Sequence, residues 1–224
     1  MAQRIQFTNK SISHFAPDSA EKAYTLGFLW GDAAIKSYKL VDGTISNNHY
    51  AELEIVRSDL DNIKDVFSVW GNWQCRYRKR AGRREQGTII LCDGNFGWFL
   101  VMNDYMIKSK SEPTKILSTI PNQYKSYWWR GFIDADGCFY HKGRAKQFSI
   151  AGPFGISWQE TINLFQELNI ENYQVQQRVH KKSKSSAIRL SKKDSIVKLG
   201  NYIYSDKLTI GLQRKYDKFM QIKL

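Results

Sequence analysis

Two short stretches of this chain are copies of one pattern. Leu26-Gly27-Phe28-Leu29-Trp30-Gly31-Asp32 and Arg130-Gly131-Phe132-Ile133-Asp134-Ala135-Asp136-Gly137 each run from a small residue through large apolar ones to a carboxylate. Helix-forming residues precede both, so Asp32 and Asp136 fall at the ends of two equivalent helices. Small residues four apart, Gly27 with Gly31 and Gly131 with Ala135, share a helix face and leave a flat strip beside each acid. Glycine inside a helix costs about 1 kcal/mol against alanine. Two matching strips in one chain offset that cost if the helices pair with each other.

The duplication extends beyond the motifs. Ser58-Asp59-Leu60-Asp61 follows the first acid and Ser157-Trp158-Gln159-Glu160 the second, both in the Ser-x-x-acid form that caps a helix start. Further start signals stand at Asp93 and Ser191. The spacings differ between the halves by only a few residues, within ordinary loop variation. Between these landmarks the period changes to two: residues 51–56 and 173–176 alternate, and 88–91 and 187–190 are rich in β-formers. Each half therefore reads helix, two strands, helix, two strands, helix. The expected fold is α+β, built of two αββαββα repeats at 1–108 and 127–224. A linker at 109–126 is marked by Pro113 and Pro121.

A net charge of +13 on 224 residues, 42% of them hydrophobic, describes a globular chain with an anionic partner. Nucleic acid is favoured over membrane. No apolar run approaches the roughly 18 residues needed to span a bilayer, and residues 1–18 carry neither a signal-peptide core nor a transit-peptide bias. An intracellular protein is expected, in a compartment the sequence does not name. Cys75, Cys92 and Cys138 are odd in number and form no Cys-x-x-Cys pair, which argues against disulfides and zinc ribbons. The four histidines are isolated; Asn47-Asn48-His49 lacks the paired histidines of a His-Asn-His metal site.

Paired side by side in one direction, the two helices would bring Asp32 and Asp136 together at adjacent C-terminal ends, each already carrying about half a negative charge from free carbonyls. Hard divalent cations relieve such a concentration, since carboxylate and carbonyl oxygens are the ligands Mg²⁺ prefers. An acidic point for Mg²⁺ on a basic surface for polyphosphate is the layout of a metal-dependent phosphodiesterase. Arg76, Arg78, Lys79, Arg80, Arg83 and Arg84 crowd one predicted hairpin, and Arg178, His180, Lys181, Lys182 and Lys184 the matching one. A major groove admits a two-stranded ribbon, so the pair suits two halves of a DNA site. Gln74, Tyr77, Gln174, Gln176 and Gln177 suit base edges or phosphates.

These residues resemble the LAGLIDADG homing endonucleases in their single-chain, two-motif form. The second copy, 129–137, is close to the family motif. The first, 25–33, is degenerate, with Trp30 where the family has its first acid and Ala33 where it has glycine. The eighth motif position, the acid that matters in the family, is Asp32 in one copy and Asp136 in the other. The resemblance implies motif helices packed at the repeat interface and antiparallel sheets forming a DNA-binding saddle. It implies Mg²⁺, or Mn²⁺ or Ca²⁺ in its place, held at Asp32, Asp136, Ala33 and Gly137. It further implies cleavage of both strands of double-stranded DNA with short 3′ overhangs, by a monomer that needs no protein partner. Lys110, in a Lys-Ser pair that resembles the end of the first repeat, and Lys215 are the implied basic residues near the scissile phosphates. Arg57 would position water or metal, a role closed to Gly152 in the second half. The alternative is a binding-only chain on the same fold, an RNA maturase or a DNA-binding regulator. Retention of both acids favours the endonuclease.

Overall fold

The computed structural model describes residues 12–71, 73–79, 81–180, 183–206 and 209–224. The first motif helix, α1 (Ala20–Asp32), starts where the Ser19 hydroxyl accepts from the Lys22 N–H at 3.2 Å. Every residue from Ala23 to Trp30 is buried, so this helix is core on all sides rather than amphipathic. It ends as the backbone turns extended at Ala33. From there β1 (Ala33–Lys39) and β2 (Ile45–Val56) lead to α2 (Arg57–Ile63), β3 (Trp73–Arg78), β4 (Gln86–Leu91) and α3 (Gly94–Met102), with a 3₁₀ turn at Tyr105–Ile107. A short helix α4 (Thr114–Thr119) precedes the second motif helix, α5 (Lys125–Asp136). Then β5 (Gly137–Lys142), β6 (Ala145–Pro153), α6 (Gln159–Glu167), β7 (Tyr173–His180), β8 (Ser183–Leu190), α7 (Lys193–Ile203) and α8 (Gln213–Lys223) repeat the order.

The strands form two antiparallel four-stranded sheets of the same topology, β1-β2-β4-β3 and β5-β6-β8-β7. Their registers also match: the first residue after each motif acid, Ala33 or Gly137, pairs with Leu53 or Ile150. Strand alternation then sorts the side chains. Ala51, Leu53, Ile89 and Leu91 in one sheet, and Phe148, Ile150, Ile188 and Leu190 in the other, face inward and are buried. Among the described residues no helix covers the opposite face of either sheet, where Glu54, Arg76 and Gln174 are exposed. Among the described residues no helix is long and apolar enough to cross a membrane.

Three expected helix starts move. Asp93 caps α3, its Oδ1 accepting from Asn95 and Phe96 at 2.9 and 3.0 Å. Ser58, however, lies inside α2, whose cap is Val56. Ser157 stands one residue before the cap Trp158 and gives its hydroxyl to Glu112 at 2.6 Å, while Glu160 accepts from Thr114. Ser191 precedes the cap Lys192. The 109–126 segment contains α4 and the first two residues of α5, and it buries Ile116, Leu117 and Ile120.

Candidate active site and nucleic-acid interface

The two motif helices pack against each other through their glycines. A Cβ on Gly27 would overlap the Trp128 carbonyl oxygen, and one on Gly131 would overlap that of Tyr24. One turn further, Gly31 faces Ala135, and a Cβ there would come within 3.2 Å of Asp136 Oδ2. Contacts advance along both helices together, so the pair is parallel and its two C-terminal acids end side by side. The interface is tied by Tyr24, whose hydroxyl donates to Asp134 Oδ2 at 2.9 Å. Asp134 also accepts from the Leu212 N–H at 2.8 Å, and burial pushes its carboxyl up to about 6. The first copy needs no such acid: Trp30 fills that place edge-on to Tyr105, at 5.0 Å between ring centres.

Two lysines close the helix ends. Lys215 Nζ, buried at 6% exposure, donates to the carbonyls of Ile133 at 2.8 Å, Gly137 at 2.7 Å, Ala135 at 3.4 Å and Asp134. Lys108 Nζ does the same at the equivalent carbonyls of the first copy, Leu29 at 3.2 Å and Gly31 at 2.7 Å. Each cation satisfies orphan carbonyls at the negative pole of a helix. Burial pushes the Lys108 ammonium down to about 8 and the Lys215 ammonium down as well, while Asp32 and Asp136 act to hold both charged.

Asp32 reaches solvent and Asp136 is half-buried. Enclosure by protein raises the Asp32 carboxyl above its usual range, against the pull of Lys215 and then Lys108. Asp136 is pushed up to about 6, first by burial and then by Asp32, with Lys108 pulling harder than Lys215. Each acid thus feels most strongly the lysine that follows the other repeat. Among the described residues no three His, Cys, Asp or Glu side chains converge on one point. A pair of mutually opposed carboxylates remains. That donor set fits Mg²⁺, which is held through one or two carboxylates while water and phosphate oxygens complete its octahedron. Ala33 and Gly137 open β1 and β5 beside the acids; the Gly137 carbonyl is already engaged by Lys215.

Other candidates fall elsewhere. Lys110 is exposed, and the lysine at the end of the first motif helix is Lys108. Arg57 directs its guanidinium to Glu85 at 3.1 Å and Asp61 at 3.4 Å, over the Tyr77 ring. Gly152 lies beneath the Trp158 ring. Sequence reasoning passed over Lys108, Asp59 and Arg214. A signal for Lys108 existed: Tyr105 and Leu212 are each 1% exposed and stand three residues before Lys108 and Lys215, so each anchors its lysine alike.

Strand register puts Gln74, Arg76 and Arg78 on the open face of the first sheet, opposite Ile90, Thr88 and Gln86. Gln174, Gln176 and Arg178 take the same face of the second, with Arg189, another residue the sequence did not single out. Tyr77 and Gln177 point the other way, to Asp61 at 2.8 Å and the Gly155 N–H at 3.1 Å. Lys184 shares that inner phase at the ribbon tip, 5.5 Å over the Phe154 ring. Arg83 and Arg84 are exposed in the β3–β4 turn. Arg80, Lys181 and Lys182 lie outside the described residues.

No family model and no curated protein matches the chain. Its fold is found among solved structures. The I-SmaMI LAGLIDADG homing endonuclease bound to cleaved DNA is similar with a TM-score of 0.57 at 12% identity, covering 89% of this chain and 86% of that one. The meganuclease I-CpaMI bound to uncleaved DNA gives 0.58 at 12%, over 90% of both chains. I-AabMI bound to uncleaved DNA gives 0.53 at 15%, over 89% of both. Two four-stranded antiparallel sheets of matching topology agree with that likeness: this chain has the fold of the single-chain LAGLIDADG homing endonucleases.

Proposed function

We propose that this chain is a site-specific, Mg²⁺-dependent endonuclease that acts as a monomer on one long asymmetric DNA duplex and cuts both strands, leaving short 3′ overhangs. The observation that carries the reading is the meeting of Asp32 and Asp136 at adjacent ends of one parallel helix pair. The two open sheet faces, each with a row of glutamine and arginine, lie in matching register on either side. Asp32 and Asp136 would hold the cation, with the main chain at Ala33 and Gly137 as further candidate ligands. When bound, such a cation activates water and offsets charge on the leaving oxygen. Lys108 and Lys215 offset charge on the two scissile phosphates. Gln74, Arg76, Arg78, Gln174, Gln176, Arg178 and Arg189 read or grip the duplex, Arg83, Arg84 and Lys184 extend the grip at the ribbon tips, and the basic Arg80, Lys181 and Lys182 of the sequence add to it. The rows differ, since arginine at position 76 stands where the second sheet has Gln176, so the two half-sites of the target differ too. I-SmaMI bound its uncleaved target in the presence of calcium ions, which supports divalent cation use on this fold.

Incubation with a randomised DNA library and Mg²⁺, followed by sequencing of cut ends, tests this. The expected result is paired ends from one non-palindromic sequence with 3′ overhangs. Selective retention of one duplex with no cut ends under Mg²⁺ or Mn²⁺ would instead select the binding-only reading.

A further inference from the structure

The two halves of the site are not chemical copies. Lys108 and Lys215 mark equivalent positions, because they bond equivalent motif-helix carbonyls. The residue before each is therefore a matched pair: Ile107 on one side, 51% exposed, and Arg214 on the other. Arg214 binds Asp59 with both arms of a fork, Nε to Oδ1 at 2.7 Å and an Nη to Oδ2 at 2.6 Å. Asp59 belongs to the first repeat and Arg214 to the second, so this ion pair spans the two. It lies on the side of the first acid: Asp59 follows β2, whose Leu53 pairs with Ala33, the residue after Asp32. Asp59 is the third residue of α2; the third residue of α6 is Thr161, a buried hydroxyl. There, in place of an ion pair, lies a cavity of about 150 Å³ lined by Asp136, Lys108, Gly31, Gly152, Trp158 and Thr161.

We propose that Arg214 is a phosphate-positioning residue for the strand served by Asp32 alone, oriented by Asp59, and that the strand served by Asp136 has no counterpart among the described residues. The side chain of Asp59 is 12% exposed and that of Arg214 58%, so the carboxylate is a fixed post and the guanidinium a presented group. A guanidinium has five N–H donors, and Asp59 takes two. Asp59 does not take the other three, and on this exposed side chain the fork fixes them in plane, which suits them to the oxygens of a phosphate. Ile107 offers none. The strand over Asp32 therefore meets Arg214, and the strand over Asp136 lies above a cavity lined by Lys108.

The proposal rests on the endonuclease reading, and its test separates the two. The duplex recovered from the library is labelled on each strand in turn and cut by wild type, Arg214→Gln and Arg214→Lys. Arg214→Gln is expected to slow one strand by at least about tenfold while the other keeps its rate, so that nicked duplex accumulates. Arg214→Lys keeps the charge but loses the fork, and shows the same bias at smaller amplitude; it keeps the test open if the glutamine variant fails to fold. Ethylation interference in EDTA gives a readout without cleavage: wild type loses binding when a central phosphate of that strand is ethylated, and Arg214→Gln does not. Equal slowing of both strands, or an unchanged interference pattern, overturns the proposal. Failure of wild type to cut either strand overturns the endonuclease reading instead.

Discussion

At the scale of single residues, Asp136 couples chemistry to stability. Its carboxyl sits at about 6 rather than the usual 3.8, raised by burial and by Asp32. The folded chain thus holds this proton more tightly than the unfolded chain does. The stabilisation is complete below the unfolded value and is lost as pH rises through about 6. Without divalent cation, Asp136→Asn is expected to raise stability at pH 7.5 by about 1–3 kcal/mol. The gain should vanish near pH 4, where the wild-type acid is itself neutral. Thermal unfolding at the two pH values checks this, and equal melting temperatures at pH 7.5 would contradict it. The acids were legible because a duplicated motif fixes them. Lys108 was harder to read: Lys108-Ser109 and Lys110-Ser111 are both Lys-Ser pairs, and burial of Tyr105 three residues earlier is what turns Lys108 to the helix end. Arg57 likewise has the right neighbourhood in sequence, yet Glu85 and Asp61 engage it.

At the scale of elements, the alternation of strands and the order αββαββα could be read directly, because period-two patterning and burial of one sheet face express the same physics. Helix starts could be read only to within a residue or two. α2 begins at Arg57, one residue before Ser58, and Ser157, one residue before its cap, accepts from the Gln159 N–H at 3.3 Å while its hydroxyl donates to Glu112. The glycine strips could be read and carry a prediction of their own. In a free helix Gly131→Ala would be favourable by about 1 kcal/mol. Here the added methyl meets the Tyr24 carbonyl across the interface, a rigid backbone atom in a fully packed core. Gly131→Ala is expected to destabilise by about 1–3 kcal/mol despite the better propensity. Urea unfolding checks the sign, and a stabilised variant would mean that the helices do not pack as closely as the structure shows.

At the scale of the whole molecule, one chain supplies what a two-fold assembly would otherwise supply: two sheets of the same topology, two motif helices and a connecting segment that packs through α4. Fusion of the repeats frees each half to diverge. The first ribbon is rich in arginine and the second in lysine and glutamine, and where the Asp59–Arg214 pair joins the repeats on one side, a cavity lies at the matching place on the other. The duplication was legible at this scale because it recurs in motif, landmark and charge. The asymmetry around the acids was not, because Asp59 and Arg214 are far apart in sequence and meet only through folding. The central claim is that one acid from each repeat completes a single composite site. Its most direct test measures cleavage of the recovered duplex, labelled on both strands, by wild type, Asp32→Asn and Asp136→Asn with Mg²⁺, alongside binding in EDTA. Each substitution alone is predicted to abolish double-strand cleavage while affinity is kept or improved, since a ligand and a charge that repels phosphate are removed together. Double-strand cleavage at near wild-type rate by either variant would contradict the account.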